Sequence, residues 1–99
     1  MPRPRIRRKV SVEPDVVYFK PAGVPMRTLE EVTLKIEEVE ALHLANLEGL
    51  SQIKCAEKMN ISQPTFHRTL ESANKKISDA LVNGKAIRIE GGTFEVEKE

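Results

Sequence analysis

The sequence is poor in sulfur and in aromatic rings. Its 99 residues contain one cysteine, one tyrosine, three phenylalanines and no tryptophan. A single cysteine excludes an intramolecular disulfide and is typical of a reducing compartment. No apolar run approaches the ~18 residues of a membrane helix, and no apolar segment follows the N-terminal charges as in a signal peptide. The composition predicts a cytoplasmic protein with one modest, mainly aliphatic core.

Metal ligands and nucleophiles are equally scarce. Cys55, His43 and His67 are the only soft ligands besides methionines, and none has the paired spacing of a metal site. No serine, cysteine or histidine is placed as a nucleophile–base pair. We therefore expect no enzymatic activity, no metal, no cofactor and no small-molecule substrate. Cys55 should pack in the core and His43 should be half-buried and hydrogen-bonded. For His67, a DNA contact and simple exposure both remain open.

The total charge of +1 conceals a strong segregation of charge along the chain. Residues 1–10 carry five positive charges and no acid, residues 27–48 have a net charge of −4, and residues 51–76 have a net charge of +3. A nucleic-acid binder needs a basic face rather than a basic total, and the two positive segments can supply one. We expect the glutamates of the acidic segment to be scattered around a helix and solvated, facing away from the basic face or binding a partner.

Hydrophobic periodicity predicts three helices, over about residues 36–48, 51–59 and 63–82. The apolar stripe of the first helix comprises Ile36, Val39, Leu42 and Leu47, and that of the third comprises Phe66, Leu70, Ala73, Ile77 and Leu81. A helix of about twenty residues is ~30 Å long, which is more than groove reading needs. We therefore expect its second half to pack on the first helix or on another subunit.

Residues at the helix ends support these boundaries. Ser51 and Ser62 are well placed as N-caps, and Pro64 suits a first helical turn because the amide it lacks is unpaired there. Asn60 stands where the turn before the third helix requires a left-handed residue, which asparagine tolerates. Gly84 is the expected end of the third helix.

Both ends of the chain alternate apolar and polar residues instead. Val10–Val12 and Val16–Phe19 are short β-prone patches. Residues 86–97 alternate around Gly91-Gly92, which predicts a β-hairpin with one face formed by Ile87, Ile89, Phe94 and Val96. A lone two-stranded ribbon is marginal in water, so the N-terminal patches should supply a third strand, from the same chain or from a partner.

Residues 51–70 have the layout of a DNA-reading helix-turn-helix. Ala56 provides a small residue where the two helices touch, and the apolar residues that lock them together are Cys55, Met59, Ile61, Phe66 and Leu70. The alternative interpretation is an ordinary helical hairpin with a solvated polar face. The candidate groove-reading residues are Ser62, Gln63, Pro64, Thr65, His67 and Arg68, and the candidate phosphate contacts on the preceding helix are Ser51 and Lys54.

These elements define a fold that is mainly α with small β. We predict a basic flexible arm over residues 1–9 and a single domain over residues 10–99. That domain is a three-helix helix-turn-helix with a long C-terminal recognition helix, N-terminal strands and a C-terminal hairpin, in a winged-helix-like layout. The arm contains Arg3, Arg5, Arg7 and Arg8. It is either a disordered solubilising tail or, as we favour, a clamp on the minor groove or the DNA backbone.

The helix-turn-helix segment resembles region four of sigma factors, and the whole chain resembles a functionally uncharacterised family of small prokaryotic proteins. The segments that carry the first resemblance are Glu48–Ser51, Ala56-Glu57, Ile61-Ser62, Pro64–Phe66, Arg68 and Leu70–Ala73. Those that carry the second are Phe19–Pro25, Glu38–Leu42, Leu47–Ser51, Ala80–Lys85 and Ile89–Gly92. The resemblance covers about residues 3–92 and implies this fold and DNA binding.

Four features depart from the family pattern. Asn60 replaces a turn glycine, Lys54 replaces an acid that would complete a capping box with the serine three residues before it, and Lys35 replaces a hydroxyl cap. His43 and Asn46 occupy positions where the family implies an arginine and an aspartate that pair. The resemblance therefore implies weaker helix caps here and the loss of one internal salt bridge.

The main hypothesis is a sequence-specific double-stranded DNA-binding protein, a transcriptional regulator that reads the major groove with the helix starting at Ser62. One reading helix seldom gives enough affinity alone, so we expect a homodimer, with the hairpin and the Val10–Phe19 segment as candidate dimer surfaces. The alternative is a protein-interaction module that docks on transcription machinery through its sigma-like fold and acidic helix.

Overall fold

The computed structural model describes residues 8–11, 13–92 and 94–96, which form five short strands and three α-helices. The strands are β1 (Arg8–Val10), β2 (Tyr18–Phe19), β3 (Glu31–Leu34), β4 (Ala86–Ile89) and β5 (Phe94–Val96). The helices are α1 (Ile36–Leu42), α2 (Gln52–Met59) and α3 (Gln63–Asn83). A π-helical segment, His43–Leu47, continues α1, and a 3₁₀ turn, Met26–Thr28, precedes β3. The molecule is therefore a mixed fold of three helices and small sheets.

The helices lie within a crossover between two parallel strands. In the three-stranded sheet the order is β2–β4–β3, with β4 antiparallel to β2 and parallel to β3. Since β3 ends at Leu34 and β4 begins at Ala86, all three helices belong to the connection between them. Parallel neighbours always need such a long connection. Here the connection carries the principal helical part of the molecule.

Side chains on one face of this sheet tie its three strands together. The guanidinium of Arg88 on β4 donates to both carboxylate oxygens of Glu31 on β3, at 3.0 and 2.9 Å. It also lies 4.8 Å from the ring centre of Tyr18 on β2, whose hydroxyl donates to Glu31 at 2.6 Å. The hydrogen bonds from Arg88 and then Tyr18 lower the pKa of Glu31. Each strand thus contributes one member of a polar cluster built on the Arg88–Glu31 ion pair.

The prediction of a C-terminal hairpin is wrong. The two tail strands lie in different sheets: β4 pairs with β2 and β3, whereas β5 pairs in parallel with β1. Because both edges of β4 are already occupied, no edge remains for β5, and the chain leaves the sheet at Gly91 and Gly92, with φ of 73° and 102°. The φ of 102° favours glycine at position 92, where a Cβ would also meet the end of the Glu37 side chain.

The N-terminal patches supply strands within the same chain, which is one of the two expected alternatives; the other was a strand from a partner. Tyr18–Phe19 forms β2 beside β4, and Val10 belongs to β1. The expectation of a flexible arm up to Lys9 is wrong at its end, because Arg8 and Lys9 are paired with Phe94 and Glu95 of β5. The apolar face expected for the hairpin depended on pairing between β4 and β5, and these strands lie in different sheets.

Two apolar clusters meet along α3. The first joins α1, α2 and the start of α3 through Ala41, Leu44, Cys55, Ala56, Met59 and Phe66. The second joins both sheets, α1 and the rest of α3 through Val10, Leu34, Ile36, Ala73 and Ile89. The second half of α3 therefore packs within its own chain on α1 and the sheet, which is the first of the two expected alternatives.

The predicted apolar stripes fail at their last positions. Leu47 is 82 % exposed and Leu81 is 76 % exposed. Leu47 lies in the π-helical segment, where the N–H of Glu48 bonds to the carbonyl of His43 at 2.9 Å, so the α-helical period no longer holds. In α3 the buried position near the sheet is taken by Ala80 instead.

Three glutamates of α1 are buried, in contrast to the expectation of solvated acids. They are Glu37, Glu38 and Glu40. The carboxylate of Glu40 accepts the hydroxyl of Ser11 at 2.9 Å, and the Nδ1 of His43 lies 3.3 Å from the same hydroxyl. The prediction of a half-buried, hydrogen-bonded His43 is therefore confirmed. The acids of this helix connect it to β1 and α3 rather than to solvent.

Glu38 is the centre of a polar link between α1 and α3. Its carboxylate accepts from the Ser72 hydroxyl at 2.6 Å, from the Lys76 ammonium at 2.8 Å and from the N–H of Lys35 at 2.8 Å. The last bond caps α1 in place of the missing hydroxyl at Lys35. Burial alone raises the pKa of Glu38, but these three hydrogen bonds outweigh it and hold the pKa below its ordinary value.

An apolar cleft of about 480 Å³ lies between the segment leading into β2, the sheet, α1 and α3. Pro14, Val16, Phe19 and Ile77 are among its lining residues.

Within the described part of the chain, no helix combines the length and the apolar character that a bilayer span requires.

We predict that Glu38→Gln destabilises the fold by about 2 kcal/mol at neutral pH, because a buried charge-assisted network loses its carboxylate. Since the folded state lowers the pKa of Glu38, the unfolded chain takes up the proton first. The stabilisation is present above about pH 4.5 and is lost as the pH falls further. Urea unfolding between pH 3 and 7 should therefore show the two proteins converging in acid. The exposed Glu57→Gln is the control, and a constant difference between Glu38→Gln and the parent would contradict the prediction.

Candidate nucleic-acid interface

A three-residue turn of defined geometry joins α2 to α3. Asn60 has φ 57° and ψ 45°, which is the left-handed conformation expected of it. The N–H of Ile61 bonds to the carbonyl of Ala56, and that of Asn60 bonds to Glu57, both at 3.1 Å. This pair of bonds is the Schellman arrangement, which satisfies the last carbonyls of a helix. The direction in which α3 leaves α2 is thus fixed by backbone hydrogen bonds.

The two helices lock together through small and apolar side chains. Ala56 is buried at the contact, and Cys55, Met59 and Phe66 are fully buried beside it. The expected roles of these residues are confirmed. Burial raises the pKa of the Cys55 thiol, so this group stays protonated and acts as a small apolar side chain.

Serine caps begin both helices. The Ser51 oxygen accepts the N–H of Lys54 at 3.2 Å, and the Ser62 oxygen accepts the N–H of Thr65 at 3.3 Å. Ser62 also donates to the Thr65 hydroxyl at 2.8 Å. Both predicted caps are confirmed, and they use the serine oxygens within the protein. Ser51 and Ser62 are exposed, as is Lys54.

The N-terminal end of α3 presents polar side chains to solvent. Gln63, Pro64, His67 and Arg68 are exposed, and together with Gln52 of α2 they line a shallow recess of about 340 Å³. We call these five residues the α3 face. The sequence predicted four of them as candidate binding residues. Gln52 was missed, although its position one residue after the Ser51 cap places it on the first turn of α2.

The α3 face is cationic. His67 is 58 % exposed, and its Nε2 lies 3.4 Å from the Glu71 carboxylate. Its expected place on the outer face is confirmed. The Arg68 guanidinium donates to the Thr65 hydroxyl at 3.4 Å and forms no ion pair with any described residue. Its charge is therefore available to an external anion. Lys76, by contrast, is engaged by Glu38.

Arg8 brings the end of the basic N-terminal segment to the same part of the molecule. It is half-buried and lines one recess with Ser62 and Thr65, and a second with Thr65 and Arg68. The other arginines predicted for the arm, Arg3, Arg5 and Arg7, lie outside the described residues.

Two polar residues near Arg8 were not singled out from the sequence. Thr69 and Ser72 share the second recess with Thr65 and follow it along one side of α3. The signal that was available is their spacing of four and three residues, which places hydroxyls in a row on a helix.

Asn46, one of the departures from the family pattern, has a local partner: its side-chain amide donates to the Asn74 side chain at 3.3 Å.

The chemistry of this surface is that of binding. It offers two guanidiniums, an imidazole, amides and hydroxyls, which are groups that contact phosphates and base edges. In the part of the chain that the structure describes, no cluster of three or more histidine, cysteine, aspartate or glutamate residues is arranged to hold a metal ion.

Fold and surface together define a small mixed α/β protein whose longest helix presents a capped, cationic end. The chain belongs to the family described as protein of unknown function DUF134, whose pattern it matches over residues 1–97. It is 58 % identical over 96 residues to the UPF0251 protein TTE1845 of Caldanaerobacter subterraneus subsp. tengcongensis, covering 97 % of this chain and 81 % of that one.

Other relatives carry the same family name. The chain is 58 % identical over 99 residues to the UPF0251 protein Teth39_0655 of Thermoanaerobacter pseudethanolicus, covering 100 % of this chain and 84 % of that one. It is 60 % identical over 94 residues to the UPF0251 protein of Moorella thermoacetica, covering 95 % of this chain and 63 % of that one. No solved structure matches the chain.

We predict that the turn tolerates glycine but not alanine at Asn60. Asn60→Ala places a Cβ with no hydrogen-bonding side chain in the left-handed region and should destabilise the protein by about 1 kcal/mol. Asn60→Gly relieves that penalty and should leave the stability within about 0.5 kcal/mol of the parent. Chemical denaturation of the three proteins measures the difference. Equal stability of the alanine and glycine variants would contradict the left-handed turn.

Proposed function

We propose that α2, the turn and α3 form a helix-turn-helix that binds double-stranded DNA in a sequence-specific manner. In this proposal α3 enters the major groove with its N-terminal end, and the protein is a cytoplasmic regulator of transcription. The observation that carries the proposal is the α3 face: a capped helix end whose cationic and amide side chains are exposed while its opposite side is locked in the core.

Three members of the α3 face and three neighbouring residues have a chemical role in such a complex. Arg68 can bond a guanine through two parallel N–H groups, and Gln63 or Gln52 can bond an adenine through its amide. Thr65 offers a hydroxyl and a methyl. Ser51 and Lys54, at the start of α2, are suited to phosphates, which position a protein without specifying sequence.

A homodimer is part of this proposal. A single reading helix contacts few base pairs, and two-fold assemblies place two such helices about 34 Å apart on successive turns of one DNA face. The apolar side chains that the structure leaves exposed near the end of α3 and on β2 give such an assembly a surface. They include Leu81, Val82 and Phe19.

The alternative of an acidic protein-docking module has less support. That hypothesis needs the glutamates of α1 at the surface. Glu37, Glu38 and Glu40 are buried, and two of them hold other elements of the same chain. The sigma-factor resemblance remains part of the proposal as a similarity of the α2–α3 segment alone.

Binding to a random-sequence duplex across a salt series tests the function. The affinity should fall linearly on a log–log plot, with a slope of roughly −2 or steeper if Lys54 and Arg8 each neutralise one phosphate. A duplex with no selected sequence is sufficient, since this electrostatic part needs no operator. Absence of binding even at low salt would overturn the proposal and favour the docking module.

Arg68→Ala tests the reading role of α3 once a preferred sequence has been selected from a random duplex pool. We expect a loss of about 1–3 kcal/mol on that sequence and a relaxed preference at one base pair. Arg27→Ala is a matched control, because Arg27 is an exposed arginine near the other end of α3. It precedes Glu30, whose carbonyl accepts the N–H of Ala86, a residue that follows the C-terminal end of α3. Equal effects of the two substitutions would show that Arg68 acts only through net charge.

A further inference from the structure

A polar recess of about 300 Å³ lies beside the α3 face, between β1, the start of α1 and one side of α3. Arg8 forms one wall, and Thr65, Arg68 and Thr69 form another. The volume is at the lower end of the range for small-ligand sites. Arg68 borders both this recess and the α3 face, so the two are continuous.

Arg8 has a charge for which the described part of the molecule provides no partner. Its Nε is buried without a hydrogen-bond acceptor, and none of its guanidinium nitrogens forms an ion pair with a described carboxylate. A half-buried guanidinium without a counter-charge is costly in free energy. An external anion in the recess removes that cost.

The carboxylates of the recess do not balance its positive charge. Glu37 and Glu38 contribute two negative charges, and Glu38 already accepts from Lys76, Ser72 and the Lys35 amide. Among the lining residues, Arg8, Lys35 and Arg68 contribute three positive charges, which leaves a surplus of one. The surplus favours an anion at this place.

The free donors of the recess suit a phosphate group. The Thr69 hydroxyl donates to the carbonyl of Thr65, and the Ser72 hydroxyl donates to Glu38, so both are engaged. The Thr65 hydroxyl accepts from Ser62 and Arg68, and its own proton is free. Two guanidiniums, the Lys35 ammonium and one hydroxyl therefore remain, and guanidinium groups match phosphate oxygens in geometry and charge.

We propose that this recess binds a backbone phosphate of DNA, with Arg8 as its principal ligand and Arg68 and Thr65 as flanking donors. The inference rests on the proposed function, which places DNA against the adjoining α3 face. It assigns to the strand β1 the task of fixing the register of α3 on the duplex. It also separates Arg8 from the preceding basic residues, since Arg8 acts from a paired strand.

The experiment compares the parent protein with Arg8→Gln, Arg8→Lys and the control Arg27→Gln in duplex binding across a salt series. Arg8→Gln should weaken binding at least about tenfold for all sequences and reduce the salt slope by about 0.9. Arg8→Lys should keep the slope and recover part of the affinity, because it keeps the charge but not the planar fork. Arg27→Gln should leave the slope unchanged. Circular dichroism confirms that each variant is folded.

Thr65→Val is a second variant that leaves β1 untouched, and it should weaken binding several-fold at an unchanged slope. A titration of the parent with inorganic phosphate, followed by the amide NMR signals of Thr65, Thr69 and Ser72, separates the possible sources of the anion. Shifts that Arg8→Gln abolishes support the site. Phosphate shifts without any change in DNA binding mean a site for free anions and overturn the proposal.

Failure of this proposal is distinguishable from failure of the proposed function. If the parent binds duplex DNA with a steep salt slope and both Arg8 variants match it, the phosphate recess is wrong and the DNA-binding function stands. If the parent does not bind duplex DNA at any salt concentration, both are wrong.

Discussion

The close approach of α3 to its neighbours depends on alanines at the points of contact. Ala56 on α2 meets the start of α3, while Ala73 and Ala80 let the rest of α3 approach α1 and the sheet. With no tryptophan and few other rings, the chain fills much of its interior with alanine and aliphatic side chains. Such an interior reaches native packing density only when the elements lie close together. The exposure of the α3 face follows, because the buried side of α3 cannot turn outward without opening both clusters.

A second constraint is the distribution of charge between interior and surface. The acids of α1 point inward, where Glu38 holds α3 and Glu40 holds the end of β1. Arg68 of the α3 face and Arg8 have no comparable internal partners among the described residues. The folded molecule is therefore more strongly polarised than its near-neutral total charge suggests. Folding removes negative charge from the surface and leaves the positive end of α3 uncovered.

The sequence predicted those parts of the fold that depend on local chemistry. The Ser51 and Ser62 caps, the left-handed Asn60 and the end of α3 at Gly84 all follow from the preferences of single residues, and the structure agrees with each. The pairing of the strands was harder to predict from the sequence. Residues 86–97 have a strong hairpin signal, but β3, a strand that the sequence pattern did not predict, occupies one edge of β4.

The candidate site likewise has one part that local sequence signals predicted and another part that depends on contacts between distant segments. Residues on the first two turns of α3 were identified because helix periodicity and capping place them. The recess beside Arg8 was not identified, because it depends on the pairing of β1 with β5 and on the packing of α1 against α3. The burial of Glu38 was missed for the same reason: Ser72 and Lys76 lie 34 and 38 residues away in the chain.

The pairing of strands from opposite ends of the chain has a consequence for how the protein acquires its structure. β1 pairs with β5, and inside that closure β2 pairs with β4, so each sheet joins segments separated by most of the polypeptide. Closing long loops is entropically unfavourable, and contacts between neighbouring helices form sooner. On the ribosome, the three helices emerge before residues 86–96 do. Until β4 emerges, the part of the second apolar cluster that Ile89 covers stays exposed, which makes the nascent chain prone to misassociation.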